Sequence, residues 1–339
     1  MSVIAPIRVG VVGVGRIGRM HAAMLARDVP GLSLAAVHDT DAGTAAAVAR
    51  ELGVPETLSS RDLIERPDVD AVAICSSTNA HVELVAEAAA TGKPLFLEKP
   101  VSLELVDVDR ALAAVSEAGV FLQLGLNRRF DPAHRSVRDA VESGAVGELH
   151  LVRITSRDPE PPPLDYVRVS GGIFLDMTVH DLDMARFVTG SEVDEVFARG
   201  EVRVDPAIGE VGDLDTVVVT LRHADGTLTV IDNSRRAAYG YDQRVEAFGA
   251  RGMAASGNPP EHTGFVLTGE GRRGAVLPHF FLQRYRTSYV AAWASFEQSV
   301  RSGSPPVVTG ADGRLALVLG LAARRSASEG RPVRVSEVA

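Results

Sequence analysis

The first 125 residues alternate short, nearly all-apolar runs with longer stretches whose apolar residues recur at helical spacing. The apolar runs fall at 8–12, 33–38, 71–75, 94–97 and 120–124, with Ala-rich amphipathic stretches at 41–52, 81–91 and 103–118 between them. Strands alternating with helices of about 10–15 residues predict βαβ units and a parallel sheet. The unbroken apolar character of the runs predicts strands covered on both faces. After Gly125 the pattern changes. Runs at 193–204, 215–222 and 227–232 alternate polar with apolar residues, and the last two flank Ala224-Asp225-Gly226, which reads as a hairpin loop. Helical patterns at 173–188, 280–301 and 313–327 interrupt this half, and Pro159-Glu160-Pro161-Pro162-Pro163 reads as an extended loop. The expected class is α/β: a doubly wound domain over 1–125, then an α+β domain over 126–339 with a large, mostly antiparallel open sheet. The helix near 310–328 is expected to pack back on the first domain.

Composition narrows the function. A chain of 339 residues suits two domains at roughly 150 residues each. No stretch approaches 18 uninterrupted apolar residues, so no membrane span is expected. The opening MSVIAPIRVGVV has no basic region ahead of its apolar run, so no signal peptide is expected and a cytoplasmic location is the default expectation. The single cysteine, Cys75, excludes a disulfide framework and a cysteine-clustered zinc site. A net charge of −9 without a basic cluster argues against a nucleic-acid partner. Among the 35 basic residues only Lys93 and Lys99 are lysines. A compact, tunable ammonium is what arginine cannot supply, which singles these two out.

Gly13-Val14-Gly15-Arg16-Ile17-Gly18 fits the G-x-G-x-x-G fingerprint. With 32 glycines in the chain, chance supplies roughly 0.3 such matches, and Gly269-Glu270-Gly271-Arg272-Arg273-Gly274 is a second one. Context separates them. The first match comes after an apolar strand and opens the helical stretch 16–27, whereas the second leads into Ala275-Val276-Leu277-Pro278 and reads as a turn between strands. In the first, Gly13 makes the tight turn, Gly15 lets the backbone approach a pyrophosphate, and Gly18 permits close helix–strand packing, the Rossmann arrangement. The free N–H groups of the helix N-terminus then face the phosphates. Asp39 ends the second strand, 21 residues after Gly18, where a carboxylate accepts from ribose hydroxyls. A carboxylate about 4 Å from a 2′-phosphate costs about 4 kcal/mol at an effective dielectric near 20, so NAD is favoured over NADP. A structural glycine turn without a ligand is the plainer alternative.

Lys99 lies just past the fourth strand, in Glu98-Lys99-Pro100, where ligands of open parallel sheets bind, and Lys93 at the other end reads as a solvated turn residue. Asp176 and His180 are four apart on the predicted helix after Gly171-Gly172, which puts both side chains on one face. Lys, His and Asp together suit hydride transfer from an alcohol. An alcohol of pKa about 15.7 facing an imidazole near 6.5 leaves a gap of roughly nine units, about 12 kcal/mol, so the proton moves with the hydride or a cation stabilises the alkoxide. His180 suits the base, Lys99 the cation and Asp176 the group that orients the imidazole. The plainer alternative is a helix-surface contact, and with Asp181 and Asp183 a metal site for hydrolysis is a further one. His21 reads as packing on its helix, and His81 as a helix cap or a lining of the cofactor site.

The fingerprint, Thr78-Asn79-Ala80-His81, Glu98-Lys99-Pro100 and Asp176-Met177-Thr178-Val179-His180-Asp181 together resemble the Gfo/Idh/MocA oxidoreductases over nearly the whole chain. The stretches Gly125 to Asp131, Ser156 to Pro159, Gly171-Gly172 and Tyr239 to Asp242 resemble its inositol 2-dehydrogenases. That resemblance implies Lys99, Asp176 and His180 as the catalytic trio. It implies Arg128, Asp158 and Tyr241 as further contacts to a polyol or sugar, and a homotetramer assembled through the second-domain sheets. It also implies a cofactor site of Gly13, Gly15, Arg16, Ile17, Gly18, Asp39, Thr40, Ser76, Thr78, His81, Glu98 and Lys99, with NAD as cofactor and no metal. Some members carry His and Asn at Ser156 and Asp158, and many carry Thr-Pro at Ser77-Thr78. A pyranose dehydrogenase, a non-catalytic NAD-binding regulator and an NAD-dependent glycoside hydrolase remain as alternatives.

Overall fold

The computed structural model describes residues 5–339; the first four, on which the expectation of no signal peptide partly rests, lie outside them. The elements run β1 Ile7–Val12, α1 Arg16–Arg27, β2 Leu32–His38, α2 Ala42–Leu52, α3 Ser60–Ile64, β3 Ala71–Ile74, α4 Thr78–Ala89, β4 Leu95–Leu97, α5 Leu105–Glu117 and β5 Leu122–Leu124. They continue with α6 Pro132–Glu142, β6 Leu149–Arg157, α7 Leu164–Val167, α8 Val179–Thr189, β7 Val193–Glu201, α9 Pro206–Glu210, β8 Thr216–His223 and β9 Leu228–Ser234. The chain ends with β10 Asp242–Gly249, β11 Gly252–Ser256, β12 Phe265–Thr268, β13 Gly271–Gly274, α10 Phe281–Arg284, α11 Arg286–Ser302, α12 Gly310–Glu329 and β14 Val333–Arg334. The described residues form two compact units, one reaching to Asn127 and including Tyr289–Leu315, the other made of Arg128–Ser288 and Ala316–Ala339. No described helix is long and apolar enough to cross a membrane.

The first unit is a five-stranded parallel sheet in the order β2-β1-β3-β4-β5. Its central strands are buried on both faces, with Val9, Val11, Ala71–Ile74 and Leu95–Leu97 excluded from solvent, as unbroken apolar runs require. The chain leaves β1 toward β2 on one side and reaches β3 on the other, so the switch point lies at the carboxyl ends of β1 and β3.

The sequence pattern places residues 289–309 in the second domain and expects the helix near 310–328 to pack back on the first; here Tyr289–Leu315, which takes in only the start of α12, completes the first unit, and the rest of α12 belongs to the second. The reason is exposed aromatic surface that needs cover. β4 and β5 are only three residues long, with Phe96 in the first and Phe121 just ahead of the second. Trp293 stacks on Phe96 at 4.3 Å, and Phe296 meets Trp293 and Phe121 edge-on at 5.5 and 5.8 Å. The Gln123 side chain donates to the carbonyl of Ala292 at 2.8 Å, and the Leu124 N–H to that of Val308 at 3.1 Å. The short α3, capped by Ser59 accepting from the Asp62 N–H, is a further element the pattern does not predict.

The second unit is a seven-stranded sheet in the order β11-β10-β6-β9-β8-β7-β14, antiparallel except for the β6–β9 pair. One face packs Val152, Ile154, Val217, Val219, Leu221 and Ile231 against α6, α8 and α12 through Val137, Leu182, Ala185, Val188, Leu319 and Ala322. The opposite face leaves Val218, Leu228, Phe248 and Met253 exposed. The hairpin predicted at Asp225-Gly226 joins β8 to β9, with Gly226 at φ 90°. The second glycine-rich match supplies the turn of the β12–β13 hairpin, Gly269-Glu270, and the whole of β13.

The aromatic packing yields a prediction. Phe296→Ala removes a fully buried ring and lowers stability by about 3–5 kcal/mol, measured by urea unfolding; a loss under about 1 kcal/mol would show that the late segment is not part of this core.

Candidate functional site

The three fingerprint glycines answer to different neighbours. Gly13 has φ +85°, and a Cβ on it would lie 2.5 Å from the Ser76 nitrogen at the end of β3; a Cβ on Gly18 would lie 1.8 Å from the Gly13 oxygen. Those two are required by the protein's own packing. Gly15 is not: its φ is −61°, it is exposed, and a Cβ there meets nothing within 4 Å. A glycine that neither the backbone nor the packing needs is accounted for by a ligand that comes against the main chain. Gly15 caps α1 without a side-chain hydrogen bond, which leaves the first amides of α1 to an anion. Arg16 is exposed and Ile17 half-buried beside it.

Asp39 stands where the spacing put it and already has work in the loop. Its Oδ2 accepts the Val14 N–H at 2.8 Å and its Oδ1 the Asp41 N–H at 3.0 Å. The carboxylate therefore pins the fingerprint to the end of β2, and each oxygen keeps a lone pair for a ribose hydroxyl. Thr40 next to it is exposed, and Ser76 and Thr78 lie where β3 gives way to α4. These groups fit a dinucleotide.

His81 is buried and both its ring nitrogens face main-chain carbonyls, Nδ1 the Pro100 oxygen at 2.7 Å and Nε2 the Ser76 oxygen at 3.0 Å. It ties the loop after β3 to the Lys99-Pro100 turn rather than capping a helix. Burial lowers its pKa, and the two carbonyls and Glu98 pull the other way. Glu98 is buried with its Oε1 on His21 Nε2 at 2.8 Å, so its carboxylate is engaged inside the unit. Lys99 is half-buried. Lys93 is not the solvated turn residue expected: its Nζ donates to the carbonyls of Ile64 and Arg66, and burial lowers its pKa.

In the second unit the expected regular helix around Asp176 is not regular. Gly171 and Gly172, at φ 83° and 79°, lead into a π-helical turn, Phe174–Thr178, before α8 begins at Val179. Asp176 sits in that wide turn and half-buried His180 in α8, so the four-residue spacing does not span one ordinary α-turn. Such turns recur at functional sites. The Asp176 carboxylate accepts from the Tyr166 hydroxyl at 2.8 Å and from Arg235 Nη1 at 3.4 Å. Arg235 is fully buried and also reaches Asp213, whose Oδ1 accepts the Ile173 N–H at the start of the turn. Tyr166, Arg235 and Asp213 carry no motif, so sequence reasoning misses them.

Arg128 is buried and its Nη1 donates to Asp181 Oδ1 at 2.6 Å and to Ser156 Oγ at 2.9 Å. Burial alone would lower its pKa; Tyr285, Asp181, Tyr241 and Asp158 around it more than reverse that. Asp181 accepts also from Asn233 at 2.8 Å, and Asp183 forms a two-pronged pair with Arg129 at 2.6 and 2.9 Å. Both oxygens of Asp181 and of Asp183 thus accept from protein donors, and among the described residues no group of three or more His, Cys, Asp and Glu is placed to hold a metal ion. Tyr241 is buried, its ring 6.1 Å from that of Tyr285. Asp158 is half-buried, and its carboxyl is pushed up to about 6, first by burial and then by the negative charges of Asp176 and Asp181, against Arg235 and Arg128.

These placements generate a binding prediction and a pH prediction. Gly15→Ala leaves the unfolding free energy within about 1 kcal/mol but weakens NAD binding by at least about tenfold, whereas Gly18→Ala destabilises the protein itself; calorimetry and thermal unfolding separate the two. Asp158 has a folded-state pKa above its unfolded one, so its contribution to stability is fully present below pH 3.8 and is lost as pH rises through about 6. Asp158→Asn is therefore stabilised relative to the parent by about 1–3 kcal/mol at pH 8, with the gain shrinking toward pH 4 in urea unfolding; a gain that does not depend on pH contradicts the raised carboxyl.

Comparison with known proteins bears on both units. Residues 7–126 match the oxidoreductase family with an NAD-binding Rossmann fold, and residues 134–255 match the GFO/IDH/MocA C-terminal domain. The chain is 51% identical to a myo-inositol 2-dehydrogenase of Thermotoga maritima over 98% of this chain and 99% of that protein. It is 42% identical to an inositol 2-dehydrogenase of Rhizobium meliloti, covering 97% and 99% respectively. A crystal structure of scyllo-inositol dehydrogenase from Lactobacillus casei with bound NAD(H) and scyllo-inositol superposes with a TM-score of 0.91 at 29% identity, over 98% of this chain and 99% of that one.

Proposed function

Because the chain belongs to the Gfo/Idh/MocA family of NAD-dependent oxidoreductases, we propose that it oxidises one secondary hydroxyl of myo-inositol, or of a close cyclic polyol, to the ketone. Full-length likeness to proteins named for inositol oxidation is the observation that carries the substrate class. The polar groups of the second unit support it. Arg128, Asp158, Asp176 and Tyr241 are arginine, carboxylates and a phenol rather than an apolar lining, and a hydroxyl-rich ring can satisfy several such groups at once. A substrate lacking one matched hydroxyl leaves a buried polar group unpaired and is strongly rejected.

In this reading NAD supplies the hydride acceptor, held by Gly13, Gly15, Gly18, Asp39 and the amides of α1. His180 takes the hydroxyl proton as hydride leaves the carbon. Lys99 stabilises the developing alkoxide with its ammonium. Asp176 is oriented by Tyr166 and Arg235, so it holds geometry rather than exchanging the proton. The exposed apolar side chains on the open face of the second-unit sheet fit a second copy of the chain in a homotetramer. The lone thiol and the nucleotide cofactor suit the cytoplasm.

The test is NADH absorbance when the protein and NAD meet a panel of inositols and pyranose sugars. NADH from myo-inositol supports the proposal. NADH from sugars alone assigns a pyranose dehydrogenase, and none with any of them a regulator or a hydrolase. Lys99→Ala lowers kcat by about 10²-fold or more while NAD affinity changes less than about threefold; equal loss of both contradicts its role.

A further inference from the structure

We infer that His21, locked in one tautomer by Trp293, is a positioning residue for Lys99 that acts through the Glu98 carboxylate; the inference rests on the role proposed for Lys99. Trp293 is the only tryptophan, it is fully buried, and an indole N–H can only donate. Its Nε1 lies 2.9 Å from His21 Nδ1. His21 Nδ1 must therefore be the acceptor, and the ring's hydrogen resides on Nε2, which lies 2.8 Å from Glu98 Oε1 and donates to it. The other carboxylate oxygen, Oε2, accepts the main-chain N–H of Lys99 at 3.2 Å. A continuous line of hydrogen bonds thus runs from a C-terminal helix, α11, to the residue that carries the ammonium.

Three features converge on this carboxylate. The His21 ring is fixed by edge-on contacts with Phe96 at 5.1 Å and Tyr289 at 5.4 Å, which leaves it one orientation. Gly125 has no positive φ to demand a glycine, yet a Cβ on it would stand 2.9 Å from Glu98 Oε1. The Glu98 N–H is already spent on the carbonyl of Ile74, so the Leu97–Glu98 peptide belongs to the sheet and the carboxylate is left to steer the Lys99 turn. A buried carboxylate is unfavourable without donors; here both oxygens are met, and the cost of moving either donor passes to that turn. A displacement of about 1 Å at a reacting group can cost about 10²-fold in rate.

The experiment compares the full-length protein with His21→Ala, His21→Gln and Trp293→Phe. His21→Ala is expected to lower kcat with myo-inositol by about 10- to 100-fold, with KM for NAD within about threefold. His21→Gln, whose amide can accept from Trp293 and donate to Glu98, recovers a large part of kcat. Trp293→Phe keeps the stack on Phe96 but releases the tautomer, and it shows a smaller fall of the same kind; it carries the test if His21→Ala does not fold. A substrate-free arm uses the fact that the chain has only two lysines. The acetic anhydride acylation rate of Lys99, read against Lys93 by peptide mass spectrometry, changes at least about threefold in His21→Ala. If the wild-type protein forms no NADH from any polyol, the proposed reaction fails while the acylation arm still decides this inference. An unchanged kcat with unchanged Lys99 acylation overturns it. So does a parallel loss of kcat, NAD affinity and stability that His21→Gln does not relieve.

Discussion

Charged side chains that leave water must be met by others, and the polar interior of this protein is organised by that requirement. In the second unit three arginine–aspartate pairs close at 2.6 Å while buried: Arg128 with Asp181, Arg129 with Asp183 and Arg284 with Asp131. In each pair the two members come from different elements, so the pairs set where the turn after Asn127, α6, α8 and α10 can lie. Removing one member of such a pair leaves a stranded charge and costs about 3–5 kcal/mol.

The first unit meets the same requirement on a smaller scale. Glu98 is the buried charge there, and a histidine and a main-chain amide answer it. Around it the glycines divide by function. Gly13 and Gly18 let the backbone fold on itself, while Gly15 leaves space that only something brought from outside can use. The same loop therefore serves packing and recognition, and Asp39 joins the two by pinning Val14 with lone pairs still to offer.

The parallel sheet, its five strands and the fingerprint helix are legible in the sequence because their signals are local: unbroken apolar runs, Ala-rich amphipathic stretches and glycines at fixed spacing. Lys99 stands out because the chain otherwise writes arginine. The alternation along β8 shows a half-covered sheet. What is not legible depends on partners far apart in the chain. Nothing near Arg235 indicates that its guanidinium meets Asp176, 59 positions earlier, or that Trp293 meets His21 across 272. The π-helical turn at Phe174–Thr178 lies in a segment whose apolar spacing reads as an ordinary helix, so the spacing alone draws the relation of Asp176 to His180 too simply. His81 can be placed near the cofactor from its motif, but no motif announces that its ring lies between the carbonyls of Pro100 and Ser76.

Trp293 and Phe296 complete the first unit from close to the end of the chain. During synthesis the nucleotide-binding sheet leaves the ribosome long before they do, with Phe96 and Phe121 uncovered and the His21 ring lacking its tautomer-setting donor. The emerging half cannot reach its final form until Tyr289–Leu315 has been made. Its folding therefore waits on a segment translated long after its last strand, and a gene fragment ending near residue 127 encodes an unfinished domain.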